Sequence, residues 1–154
     1  MNQISSSAEK SSPELTEPEK IPGGAYSEWI HARFWIKGKN ASFVGIGRVQ
    51  LLEHIQRYGS MNRAAKEMGM SYKKAWKLVD ELNEIYEQPL VVKAQGGKSG
   101  GGSLLTPKGL ALIALFREME QEMRAFLDQA SIKVQAFNEQ DLGSKVAENR
   151  AEKD

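Results

Sequence analysis

Apolar residues recur at helical spacing through most of the middle of this chain. Between Gly45 and Tyr58, Ile46, Val49, Leu52 and Ile55 repeat every third position with Leu51 beside them. That places one stripe on a helix facing a core. Gly59 ends this helix, and Ser60 can cap a second one whose inner side holds Ala64, Ala65 and Met68. Gly69 suits a left-handed terminator. Ser71 then caps a third helix, expected to run to about Glu87, with Ala75, Leu78, Val79, Leu82 and Ile85 inward and Pro89 beyond its end. Upstream, Ile30 to Ile36 alternates apolar and polar positions, the pattern of a half-buried strand, and residues 37–40 read as a turn.

Downstream, Leu90–Lys93 and Ser103–Leu105 flank the glycine-rich run Gly96 to Gly102, which predicts a β-hairpin. Thr106-Pro107 opens a long helix, with Thr as cap and Pro where its missing N–H costs nothing. Along it Leu112, Phe116, Met119, Met123 and Phe126 are spaced 4, 3, 4 and 3 apart, a heptad seam that Ala130 continues and Lys133 breaks. A partner helix is the expectation for this seam, so these five are the dimerisation residues. The alternative is an apolar ligand pocket, since Met adapts readily to bound groups. The fold class is therefore mainly α with a small β-hairpin wing: a winged helix-turn-helix with a long C-terminal dimerisation helix at about 107–130. Residues 1–27, rich in Ser, Glu, Pro and Lys, read as a disordered tail, 28–130 as the domain, and 131–154 as a polar C-terminal tail.

Charge sharpens this picture only when divided. The chain of 154 residues has a net charge of +1, but 57–77 holds Arg57, Arg63, Lys66, Lys73, Lys74 and Lys77 against Glu67 alone, a local +5. Such a concentration is the footprint that phosphate binding requires. There is no cysteine, which removes disulfides, thiolate catalysis and cysteine-based zinc sites. The N-terminus lacks the basic and apolar regions of a secretory signal. A cytoplasmic, nucleoid-associated bacterial protein is expected.

The run Ser60 to Asn83 has the parts of a helix-turn-helix: Ala64 and Ala65 where a second helix crosses the first, Gly69 at the turn, and Ser71 as the cap. A recognition helix reads base edges with its N-terminal residues. Here those are Ser71, Tyr72, Lys73, Lys74 and Lys77, while Asp80, Glu81, Glu84 and Glu87 come only in later turns. Ser60 and Arg63 on the preceding helix, with Lys93 and Lys98 on the hairpin, complete the expected DNA-binding set, the arginine and the hairpin lysines as phosphate contacts. Lysines at this spacing also occur on plain solvated faces; the small residues, turn, cap and hairpin around them favour nucleic acid.

Gly69-Met70-Ser71-Tyr72-Lys73-Lys74-Ala75-Trp76, Leu82-Asn83 and the glycine-rich hairpin resemble the N-terminal domain of the molybdate-responsive ModE regulators. Leu105-Thr106-Pro107-Lys108-Gly109 is shared with LysR-type regulators as well. The resemblance spans about residues 30–128. It implies a winged helix, a homodimer through the long helix, operator binding by two recognition helices, Ser71 to Lys74 facing double-stranded DNA, and Lys98 near the backbone. It does not extend to the family's C-terminal oxyanion-binding domains, so molybdate binding is not expected.

Other constellations carry less. Gly97-Lys98-Ser99 lacks the P-loop's first glycine, whose place is taken by Val92. His31 and His54 fall on different elements with no cysteine beside them, so neither a metal nor a cofactor is expected, and no catalytic set is suggested. Trp35 and Trp76 could stack bases in a single-strand binder, but Trp76, next to Ala75, is assigned to helix packing. The expected function is a non-enzymatic, sequence-specific transcriptional regulator. The alternatives are an interaction module that heterodimerises with or titrates a full-length regulator, and an oxyanion sensor built from two chains.

Overall fold

The computed structural model describes residues 25–39, 42–96 and 102–140. Two short antiparallel hairpins come first: β1 (Ala25–Tyr26) with β2 (His31–Ala32), and β3 (Ile36–Lys37) with β4 (Phe43–Val44). Helices α1 (Ile46–Tyr58), α2 (Met61–Glu67) and α3 (Tyr72–Ile85) follow. The hairpin β5 (Val91–Lys93) and β6 (Ser103–Leu105) pairs Val91 with Leu105 and Lys93 with Ser103. Helix α4 (Pro107–Glu139) closes the described chain. Three helices, a two-stranded wing and a long helix make a winged helix-turn-helix. Lys98 at the wing tip, and residues 1–24 and 141–154 of the expected tails, lie outside the described residues.

The core is where the periodicity puts it. Val49, Leu51, Leu52 and Ile55 of α1, Ala64 and Ala65 of α2, and Ala75, Val79, Leu82 and Ile85 of α3 are all buried, joined by Val44, Leu90 and Val91. Each large aliphatic side chain removed from water in this way stabilises the fold by roughly 1.5–3 kcal/mol. Met61 is buried as well, whereas Met68 and Leu78 pack only partly against the core. The third helix stops at Ile85 rather than Glu87, because Tyr86 is already extended, with ψ at 151°.

Three expectations change. The alternating segment 30–36 is not one strand: its ends pair in different hairpins, and residues 33–35 join neither ladder. Alternate residues are nonetheless half-buried, and Phe34 stacks on Phe116 with ring centroids 4.5 Å apart. Strand β1 begins inside the stretch 1–27 read as tail, and α4 continues nine residues past 130. The two segments meet at Ser131. The Ser27 hydroxyl donates to Ser131 Oγ at 3.2 Å, and the Trp29 N–H donates to the same oxygen at 3.1 Å, so the first hairpin lies against the distal half of α4.

The α4 seam divides along its length. Leu112 and Phe116 are buried in this chain's own core, where Phe34 covers Phe116, so neither belongs to a surface open to a partner. Met119 and Phe126 are exposed and Met123 is half-buried. Arg117 ties α4 to α1 through two 2.8 Å bonds to Glu53, and Glu120 adds a third at 2.7 Å. These hydrogen bonds to Glu53 raise the Arg117 guanidinium above its ordinary range, against the opposing effect of burial.

Candidate nucleic-acid interface

The sequence sets the caps that aim α3. Ser60 Oγ accepts the Arg63 N–H at 3.3 Å, which starts α2. Gly69, at φ 64°, reverses the chain after α2, and its N–H reaches the Lys66 carbonyl at 3.1 Å. A side chain there would be strained, since L-residues avoid this region. Ser71 Oγ then accepts the Lys74 N–H at 3.1 Å. The first turn of α3 thus begins on a satisfied cap, with its remaining N–H groups and dipole pointing outward.

Ser71, Tyr72, Lys73, Lys74 and Lys77 are all exposed, while Ala75 and Val79 face inward. Three lysines and a tyrosine therefore share an open surface on the first two turns. The acidic residues farther along are partly neutralised: Glu81 pairs with Arg48 and Glu87 with Lys39, each at 2.5 Å. Arg63 is exposed on α2, with its guanidinium over the Tyr58 ring at 4.4 Å; Arg57 approaches the same ring at 5.4 Å.

The wing joins this surface through Lys93, whose Nζ lies 4.7 Å from the centre of the Trp76 ring. Trp76 is only half-buried, not wholly given to packing, and Tyr72 meets it edge-on at 6.2 Å. Together with the lysines they line an open concavity of about 690 Å³ that includes Ser71 and Asp80. Ser71, Tyr72, Lys73, Lys74, Lys77 and Lys93 of the expected set thus lie on one surface, and Trp76, expected in the helix packing, stands half-buried among them. Its helix position, four residues after Tyr72, was the available signal. The seam residues Met119, Met123 and Phe126 lie on α4, apart from this surface.

Three clamps hold wing and helices in register. Asn83 Oδ1 accepts the N–H groups of Leu90 (2.8 Å) and Val91 (3.2 Å), and its Nδ2 donates to the Val91 carbonyl at 3.0 Å. The Ser103 N–H donates to the Gly59 carbonyl at 3.1 Å, fastening β6 to the α1–α2 turn. Thr106 Oγ1 donates to the Pro89 carbonyl at 2.7 Å and accepts the Gly109 N–H at 3.1 Å. Among the described residues no group of three His, Asp or Glu side chains is placed to hold a metal, and no helix is long and apolar enough to cross a membrane.

Residues 46–110 match the family described as bacterial regulatory helix-turn-helix protein, lysR family. This segment is a LysR-type helix-turn-helix domain. It includes α1 to α3, the wing and the first turn of α4. The chain is 46% identical over 84 residues to the molybdenum transport protein ModE of Azotobacter vinelandii, covering 54% of this chain and 31% of that protein. It is 51% identical over 77 residues to the molybdenum-pterin-binding protein MopA of Rhodobacter capsulatus, covering 50% and 29%. To the DNA-binding transcriptional dual regulator ModE of Escherichia coli it is 41% identical over 92 residues, covering 59% and 35%. The chain thus spans about a third of the length of these relatives.

Proposed function

We propose that this chain is a DNA-binding transcriptional regulator that lays α3 in the major groove of an operator and works as a homodimer joined along α4. One observation carries the reading: the capped first turn of α3 presents Lys73, Lys74 and Lys77 together on an open face, with Lys93 of the wing beside them. Cationic groups at this density supply salt-dependent affinity for phosphates, and the N-terminal residues of such a helix reach base edges. The relative from Escherichia coli is named a DNA-binding transcriptional dual regulator and is alike over 59% of this chain.

The homodimer rests on the exposed remainder of the α4 seam. Met119 and Phe126 continue in helical phase with Leu115, and Met123 borders them, so apolar side chains gather on the outer face of α4 as far as Lys133. Apolar surface of this kind on a long helix favours a helix of a second copy. Two recognition helices would then meet half-sites about one helical turn, ~34 Å, apart. Molybdate binding forms no part of the proposal, because the matched portion is limited to about a third of the relatives named for molybdenum.

Selection of bound duplexes from a random DNA pool tests the proposal. A two-fold symmetric consensus with a fixed half-site spacing supports it, and recovery of unenriched sequence refutes it.

A further inference from the structure

We propose that Tyr72 and Trp76 form an aromatic ledge that reads the C5-methyl group of thymine. The inference rests on the placement of α3 in the major groove and adds how bases are distinguished there. Lysine on its own is a poor reader of sequence, being a flexible point charge that serves phosphates and guanine alike. The exposed face of α3 is more than a lysine cluster. Tyr72 is the first residue of the helix and 52% exposed, so its ring is open to a ligand at the helix start. Trp76 follows one turn later, and the two rings meet edge-on with centroids 6.2 Å apart.

Lys93 borders this pair. Its ammonium lies 4.7 Å from the Trp76 ring centre, a cation–π approach from the wing. The rings therefore line the concavity at the start of α3 together with Lys73, Lys74, Lys77 and Asp80. Aromatic surface set among cations matches the major groove, where thymine methyl groups are the apolar features and phosphates line both edges. Tyr72 supplies ring surface for such a methyl, and Lys73 beside it stays free to donate to a neighbouring base edge.

The test uses a duplex selected by the protein, remade with deoxyuridine in place of each thymine in turn. This removes the methyl group and leaves base pairing intact. Wild-type protein should lose about fourfold in affinity at one or two positions of each half-site, the equivalent of ~0.8 kcal/mol for one buried carbon. Tyr72→Ala should bind the thymine and uracil duplexes equally at those positions. Tyr72→Phe should keep the discrimination, because the ring and not its hydroxyl makes the contact. Salt-dependent duplex binding with no uracil effect at any thymine overturns the ledge and leaves the groove placement standing. Failure to bind duplex DNA at any salt concentration overturns the placement on which the ledge depends.

Discussion

Asn83 and Val91 bond to each other twice: Nδ2 donates to the Val91 carbonyl at 3.0 Å, and the Val91 N–H donates to Oδ1 at 3.2 Å. With the Leu90 N–H on the same oxygen, one side chain of α3 completes the start of β5 as a neighbouring strand would. The wing is thereby indexed to α3, and Lys93 is delivered to Trp76.

Replacing this amide should release the wing. Asn83→Ala is expected to cost about 1–3 kcal/mol, since it leaves partly buried backbone groups unpaired. Asn83→Asp keeps an accepting oxygen but turns a second oxygen toward the Val91 carbonyl where Nδ2 donated, so it should destabilise as well. Urea titrations measure both losses, and faster amide exchange at Leu90 and Val91 locates the effect. Wild-type stability in either variant would contradict the clamp.

Gly109 allows α4 to start where it does. A Cβ at this position would lie 2.4 Å from the Leu90 carbonyl oxygen, which is backbone and cannot move aside alone. Gly109→Ala should therefore destabilise by about 1–3 kcal/mol, the usual cost of overpacking, although alanine favours helices. Thermal denaturation with an unchanged or raised midpoint would argue against this close approach.

Tyr86 is buried at its hydroxyl with no hydrogen-bond partner among the described residues, and burial pushes its pKa up. A raised folded-state value means that the neutral phenol's contribution is fully present below the unfolded value of about 10 and is lost as pH rises through the folded one. Tyr86→Phe should equal or exceed wild type in stability at neutral pH, because it removes an unpaired polar atom. It should also flatten the loss of stability above pH ~10. Parallel urea titrations at neutral and alkaline pH read both effects.

The divided α4 seam makes two substitutions behave oppositely. Phe126 is 67% exposed, so Phe126→Glu should change stability by no more than about 0.5 kcal/mol within one chain while converting dimers to monomers. Phe116 is fully buried, so Phe116→Ala should cost about 3–5 kcal/mol. Sedimentation equilibrium and denaturant titration separate the two effects. A Phe126→Glu protein that stays dimeric would place the interface elsewhere.

The sequence was legible where a local rule decides the outcome. Ser60, Ser71 and Thr106 cap their helices, Gly59 and Gly69 turn left-handed, and the wing pairs 91–93 with 103–105. It was less legible where distant segments compete for one surface. The 4-3-4-3 spacing on α4 marks an apolar face but cannot say what covers it, and Phe34 takes the Phe116 end within the chain itself. Alternation at 30–36 reports burial correctly without reporting pairing, because packing and ladder formation share a period of two. Trp76 falls between core and surface, and its role depends on Lys93, seventeen residues away on another element. On the exposed face of α3, the lysines stand out in the sequence by their charge, and the edge-on contact of Tyr72 with Trp76 does not.

The central claim is that α3 meets bases while the wing meets phosphates, and paired titrations of Lys73→Ala and Lys93→Ala test it most directly. Each variant would be measured on a selected operator and on all its single-base changes, at several salt concentrations. Lys73→Ala should lose discrimination at one base pair, worth about 1–3 kcal/mol there, and Lys93→Ala should weaken every sequence alike and lower the salt slope by about one. A uniform loss for Lys73→Ala across all sequences would contradict the assignment of α3 as the reading helix.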